Sequence, residues 1–223
     1  MGWKASCIFV SECGPEIFRG PLRHEEERDA AVLQNLGIPF SGVTGQCDLR
    51  EGIHPRGGLI HGGFIYVGDY GGGLIITDDH LPAWLIAQED RRIISGKSTY
   101  APAAVGILFA TYPEAKVFAL VLHSVVNLWG FAWYEKGQRV RAIWGSTEDG
   151  VGLDVGTPFP EEAAARESGE PLDECGEEIC FAVSARMLGV RLDELPFEKI
   201  GLTRFKPAPN VSWLKSWFGR RLG

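Results

Sequence analysis

The chain has 223 residues, of which 45% are hydrophobic and 23% are charged, and its formal net charge is −7. This composition excludes a wholly disordered protein. No uncharged apolar run reaches the roughly 18 residues of a membrane-spanning helix, and the apolar run Ala5–Val10 is too short for a secretory signal. A net-acidic chain is unsuited to nucleic acid, because phosphate binding needs a basic surface. We therefore expect a cytoplasmic globular protein.

The first half of the chain predicts a strand, a helix and a hairpin in succession. Trp3–Val10 is rich in β-forming residues and predicts a strand. Arg23–Leu36 has apolar residues at helical spacing and is followed by Gly37, a stop signal, so it predicts a helix. Two β-forming segments, Gly58–Tyr70 and Leu74–Thr77, are separated by glycines and predict a β-hairpin.

Two further helices are predicted after the hairpin. Leu81–Gln88 has a proline in its first turn and Asp78 or Asp79 as its N-terminal cap. Ala101–Tyr112 is apolar throughout and predicts a buried helix.

The middle of the chain predicts a three-stranded antiparallel meander. Its strands are Lys116–His123, Trp129–Glu135 and Arg139–Ser146, and Gly137 suits the tight second turn. In the third strand, arginines alternate with Val140 and Ala142, which predicts one face in water and one face in the core.

Ile179–Leu188, closed by Gly189, predicts a core helix. Together these elements predict an α+β fold: an antiparallel sheet, made of a hairpin plus a meander, covered on one face by three to four helices. We expect a single domain over residues 1–206 and a C-terminal amphipathic helix or tail over residues 207–223.

The charge is unevenly distributed along the chain. Residues 1–198 hold all 29 acidic residues, whereas residues 199–223 hold six basic residues and no acid. Eight of the acidic residues fall between positions 161 and 178, which predicts a solvated loop and the start of a helix. The five cysteines form no CxxC pair, and their odd number predicts free thiols in a reducing compartment.

A cluster of histidine, cysteine and carboxylate residues is the candidate metal site. Cys47, His54 and His61 lie at intervals of seven positions, and Asp78, Asp79 and His80 follow the predicted hairpin. Three such ligands with one open position could hold a catalytic zinc ion. We name His54, His61, Asp79 and His80 as candidate ligands of a divalent metal, and we expect no other cofactor. The alternative for Asp78–His80 is capping of the following helix.

The last segment of the chain is the candidate partner-binding element. Its apolar residues fall on one face of a helix and are interleaved with positive charge. The candidate residues are Trp213, Leu214, Trp217, Phe218, Arg220 and Arg221. A basic, Trp-rich amphipathic helix can occupy a partner's groove or lie on an anionic membrane surface. A third alternative is packing against its own domain, with the basic residues facing the acidic surface.

Several runs of strand and turn residues resemble an uncharacterised family of bacterial proteins of unknown function. These runs are His123–Val126, Trp129–Ala132, Lys136–Arg141, Asp149–Val151 and Gly156–Pro158, together with Met1–Lys4 and Tyr66–Tyr70. The resemblance spans most of the chain and implies a bacterial cytosolic protein. The resemblance identifies no catalytic residue, because its motifs consist of strand and turn residues without a catalytic signature.

Three functions follow as hypotheses. The first is a non-enzymatic, inhibitor- or immunity-like module whose acidic segment meets a basic protein partner. The second is a small metal-dependent hydrolase at the cluster around Cys47, His54, His61 and Asp78–His80. The third is peripheral membrane attachment through Trp213–Leu222.

Overall fold

An antiparallel sheet of nine strands runs through the described part of the chain. The structure is a computed structural model that describes residues 3–19, 22–53, 63–88, 100–167 and 169–208. The strands are β1 (Lys4–Ser11), β2 (Phe40–Asp48), β3 (Ile65–Asp69), β4 (Gly73–Thr77), β5 (Lys116–His123), β6 (Leu128–Glu135), β7 (Gln138–Ser146), β8 (Gly150–Val155) and β9 (Gly201–Pro207). Their spatial order is β2-β9-β3-β4-β1-β5-β6-β7-β8.

Within the described ranges, six α-helices pack on the two faces of this sheet. They are α1 (Glu26–Asn35), α2 (Leu49–Ile53), α3 (Leu81–Ala87), α4 (Ala101–Thr111), α5 (Pro160–Glu167) and α6 (Gly176–Leu188). The face covered by α1, α3 and α4 is called the α3 face, and the face covered by α2, α5 and α6 is called the α6 face. The prediction of helices on one face was wrong.

Both faces of the central strands are buried, which is why these strands are apolar without interruption. In β1, Ile8 and Val10 pack on the α3 face, whereas Cys7 and Phe9 pack on the α6 face. Successive side chains of a strand point to opposite sides, so a sheet covered twice needs apolar residues at every position.

The predicted meander is confirmed, and so is the pairing of the predicted hairpin, although its first strand begins at Ile65 and residues 58–62 of its expected range lie outside the described residues. β3 pairs with β4, and β5, β6 and β7 pair in succession, all antiparallel. Lys136 and Gly137 both have positive φ, at 51° and 71°, which is the conformation of a tight type I′ turn. Gly189 ends α6 in the left-handed conformation, at φ 73°, as its position predicts.

Three strands were not predicted from the sequence. β2 and β8 are the edges of the sheet and are rich in glycine or exposed residues, so they carry little apolar periodicity. β9 pairs with β2 and β3, which lie far from it in sequence. Pairing over such a distance leaves no local signal.

The exposed face predicted for β7 is wrong. Arg141 is completely buried, whereas Val140 is 40% exposed. The Arg141 guanidinium donates to both carboxylate oxygens of Glu162 in α5, over 2.9 and 2.7 Å, and contacts Asp154 in β8. A buried arginine is tolerated where a carboxylate pairs with it in this bidentate geometry. α5 therefore covers the face that the alternation assigned to water.

None of the helices in the described ranges is long and apolar enough to cross a membrane.

Candidate functional site

The Asp78 carboxylate has a structural role at the start of α3. Its Oδ2 accepts hydrogen bonds from the backbone N–H groups of His80 and Leu81, over 2.9 and 2.7 Å, and its Oδ1 accepts one from the Tyr100 hydroxyl at 2.7 Å. The Ser6 hydroxyl donates to its backbone carbonyl at 2.6 Å. Asp78 thus provides the predicted helix cap, although it does so from two residues before the cap position, which His80 occupies.

Asp79 lies beside this cap in a pocket at the ends of β3, β4 and β9. Its neighbours there include Phe64, His80, Tyr100 and Pro207. Burial raises the pKa of the Asp79 carboxyl well above its usual value, and the charge of Asp78 raises it further. The pocket has about 10 Å³ of free volume, which holds no more than about one water molecule.

The candidate metal ligands are only partly covered by the structure. Asp79 and His80 are described, whereas His54 and His61 lie outside the described residues. Burial raises the pKa of the Cys47 thiol to about 12, and the charge of Glu51 adds to the increase, so the thiolate that a metal requires is disfavoured. Across the described ranges, no group of three or more His, Cys, Asp or Glu side chains could hold a metal ion.

The two parts of the predicted metal cluster nevertheless approach one another. Burial raises the pKa of Tyr66 on β3, and the nearby groups Glu51, Cys47 and Asp79 raise it further. A Cβ atom built on Gly52 of α2 would lie 3.6 Å from the side chain of Thr77, which pairs with Tyr66 and directly precedes Asp78.

The predicted partner-binding residues of the tail lie outside the described residues. They are Trp213, Leu214, Trp217, Phe218, Arg220 and Arg221. The chain is described up to Ala208, whose N–H donates to the carbonyl of Pro39 at 3.2 Å.

Much of the acidic segment 161–178 is neutralised within the chain. Glu162 is buried against Arg141, whereas Glu161 pairs with Arg186 and Glu178 pairs with Arg191. The segment also contains α5 and the start of α6 rather than one solvated loop. Its capacity to attract a basic partner is therefore smaller than its eight acidic residues indicate.

A buried carboxylate that the sequence did not reveal joins α1 to the sheet. Asp29 is completely buried and accepts hydrogen bonds from the Thr203 hydroxyl at 2.6 Å and from the Asp69 N–H at 2.7 Å. The Nε2 atom of His24 lies 3.6 Å from the same carboxylate. Burial raises the pKa of Asp29, and the two hydrogen bonds oppose this increase. Because its two oxygens accept hydrogen bonds from β3 and β9, Asp29 is a structural residue that joins α1 to the sheet.

A cleft on the α3 face was also not predicted from the sequence. It has a volume of about 370 Å³ and lies on the α3 face, between α3, α4 and the β6–β7 turn. Its lining combines aromatic rings with polar side chains: Trp84, Leu85, Gln88, Val105, Phe109, Tyr134, Gly137, Gln138 and Arg139.

Tyr134 organises the floor of this cleft. Its hydroxyl donates to the Leu85 carbonyl at 2.7 Å, and its ring lies 5.0 Å from the Phe109 ring. Burial raises the pKa of the Tyr134 hydroxyl, and hydrogen bonds to Gln88 and Arg139 oppose this effect. These contacts bring two exposed polar side chains to the rim of an aromatic surface.

Gln88 has an unfavourable backbone conformation at the rim of the cleft. Its φ is 52° and its ψ is −83°, outside the regions that residues with a side chain normally adopt. Strain of this kind is concentrated at ligand-binding and catalytic positions.

Only the tertiary structure could identify the cleft, because its residues come from two helices and a hairpin that are separated in sequence.

Comparison with known proteins adds a family but no function. A family model described as "Family of unknown function (DUF6928)" matches residues 5–199. No curated protein and no solved structure matches the chain.

Proposed function

The chain belongs to this family of unknown function, whose description names no activity, and we propose that the chain is a non-catalytic binding module for a protein partner. The observation that carries the proposal is the open cleft that contains Trp84, Phe109, Tyr134 and Arg139. Trp, Tyr and Arg are the residue types enriched at the energetic centres of protein interfaces.

The chemistry of the cleft defines what the partner presents. Trp84 and Phe109 are only partly buried, so they offer ring surface to an incoming aromatic or aliphatic side chain. Arg139 is exposed at the rim, where its planar guanidinium suits a carboxylate. A volume of about 370 Å³ lies at the lower end of the range for ligand pockets and suits one anchoring side chain. The partner therefore inserts an apolar side chain next to an Asp or Glu.

The acidic segment offers a second contact of opposite charge. Glu167 and Glu174 are exposed on the other side of the sheet and would attract basic groups. Because Glu161, Glu162 and Glu178 are paired with arginines of the same chain, we assign the primary contact to the cleft. The five free cysteines support a reducing, cytoplasmic location.

A peptide selection with the full-length chain tests the proposal. We expect selected peptides to share an aromatic residue within two positions of an Asp or Glu. Arg139→Ala should weaken their binding by about tenfold to hundredfold, the value of a charge-assisted hydrogen bond of about 1.5–3 kcal/mol. Arg23→Ala is the matched control, since Arg23 is equally exposed but does not line the cleft.

Two results would refute this function. The first is a selection that yields no consensus. The second is a consensus whose affinity is the same for the wild type and Arg139→Ala, since the guanidinium would then contribute nothing to recognition.

A metal-dependent hydrolase is the second candidate function. It is favoured by the proximity of Cys47 and Asp79 to Tyr66 and by the raised pKa of Asp79, which suits a proton donor. His54 and His61 would supply the nitrogen ligands. Metal analysis of the wild type and of His54→Ala/His61→Ala tests it: stoichiometric metal that is lost in the variant supports the hydrolase, and metal-free wild type after zinc loading excludes it.

A further inference from the structure

α4 is an apolar helix with one face uncovered in the described part of the chain. Its eleven residues include no charged side chain, and five of them share an exposed stripe. We call this stripe the outer face of α4; it consists of Pro102, Ala103, Gly106, Ile107 and Ala110. Ile107 is 37% exposed, and a Cβ atom added to Gly106 would meet no atom within 4 Å. A helix that is apolar on all sides is normally covered on all sides.

The last described residue, Ala208, follows a residue that lies close to the beginning of α4. Pro207 and Tyr100, the residue before α4, line the same small pocket. The four residues between Ala208 and Trp213 span up to about 13 Å when extended. The tail can therefore reach the first turn of α4 without rearrangement of the sheet.

The tail and the outer face of α4 match in pattern and size. Trp213, Leu214, Trp217 and Phe218 repeat the i, i+1, i+4, i+5 spacing of Pro102, Ala103, Gly106 and Ile107. The tail presents large side chains and α4 presents mostly small ones, so the two helices could approach closely with ridges in grooves.

The lengths also agree. A helix from Ser212 to Leu222 would be about 16 Å long, the same as the eleven residues of α4. Running in the same direction as α4, it would bring Arg220 and Arg221 to the negative C-terminal end of the α4 dipole, near the exposed Glu114.

We propose that the C-terminal segment 209–223 packs as a helix against the outer face of α4 in the same molecule. The five large apolar residues of the tail then find the surface that a short helix needs to be stable. This packing covers α4 on the side away from the sheet and leaves Trp84 and Arg139 in the cleft accessible. The inference is independent of the function proposed for the cleft.

Hydrogen–deuterium exchange of the full-length chain, read by mass spectrometry, tests this packing. We expect the backbone amides of residues 213–222 to be protected in the wild type. Ile107→Glu should make them exchange about tenfold faster, because the substitution places a charge in the apolar contact. Ala103→Glu, at a second exposed position of the same face, should do the same without disturbing the core. Val125→Glu is the matched control: Val125 is 73% exposed in the β5–β6 turn and is not part of α4.

Three outcomes would overturn the proposal. Amides of 213–222 that exchange at the random-coil rate in the wild type would mean that the tail does not pack on its own domain. Protection that is unchanged by both α4 substitutions would place the tail on another surface. Protection that rises with protein concentration, together with a dimer in native mass spectrometry, would show that a second copy occupies the face.

Discussion

The buried ion pair between Arg141 and Glu162 allows a quantitative prediction. Both side chains are completely buried and are joined by two hydrogen bonds of 2.9 and 2.7 Å. Glu162→Gln keeps the shape of the side chain but leaves the Arg141 charge buried, with Asp154 as its remaining carboxylate partner. Removing one member of a buried pair costs about 3–5 kcal/mol. Because Asp154 retains part of the interaction, we expect the free energy of unfolding to fall by about 3 kcal/mol.

Urea denaturation followed by tryptophan fluorescence measures this loss. With a dependence of about 2 kcal/mol per molar urea, the unfolding midpoint should move down by about 1.5 M. Glu161→Gln is the matched control on the same helix, since its pair with Arg186 is partly exposed and is worth at most about 1 kcal/mol. If the two substitutions have equal effects, burial is not what gives the Arg141–Glu162 pair its strength.

The same pair predicts how stability depends on pH. Burial alone would raise the pKa of Glu162, but hydrogen bonds from Arg141 and from the Phe159 N–H outweigh it and hold the pKa below its ordinary value of 4.5. A carboxylate whose pKa is lowered in the folded state stabilises the fold above the unfolded pKa and loses this contribution as the pH falls through the folded pKa. The stability difference between the wild type and Glu162→Gln should therefore shrink below about pH 4.5. A difference that stays constant down to pH 3 would contradict this explanation.

Three further predictions concern packing and the pKa values of single residues. Gly176→Ala should lower the free energy of unfolding by about 2–3 kcal/mol in a urea titration, because its Cβ would lie about 2 Å from the Trp129 ring; an unchanged midpoint would contradict the packing. In native protein at pH 8, iodoacetamide should modify the exposed Cys13 at least about a hundredfold faster than the half-buried Cys47, whose pKa is raised by burial to about 12, as measured by peptide mass mapping; equal rates would refute the raised pKa of Cys47. Asp79→Asn should stabilise the protein at pH 7 by about 1 kcal/mol, as measured by urea denaturation. Folding raises the pKa of the Asp79 carboxyl, so the wild type loses stability as the pH rises above the unfolded pKa, whereas the neutral Asn does not. A less stable variant would indicate that the ionised form is needed.

Local sequence patterns were sufficient for the elements whose partners are close in the chain. The hairpin β3–β4 and the meander β5–β6–β7 were predicted because each strand pairs with its neighbour in sequence across a short turn. The end of α6 was predicted because Gly189 is a local signal for a left-handed cap. The family was also indicated by the sequence, since its turn and strand residues are spread over most of the chain.

Burial could not be predicted by the same means. Arg141 follows the alternation of an exposed strand face, but α5 covers it with a carboxylate from 21 positions further along the chain. Asp29 carries no local signal, because its partner Thr203 lies 174 positions away. A polar residue is buried when a distant group satisfies its hydrogen bonds. The periodicity of one strand or helix contains no information about that distant group.

The sequence by itself therefore determined the α+β class, the antiparallel pairing of consecutive strands and the sites where helices stop, because these depend on contacts within a few residues. The tertiary structure alone decided that the sheet is covered on both faces, that β9 lies between β2 and β3, and that Trp84, Phe109 and Arg139 form one cleft. These features arise from packing between segments far apart in the chain, where the choice among many alternatives is made by shape, buried area and the pairing of buried charges.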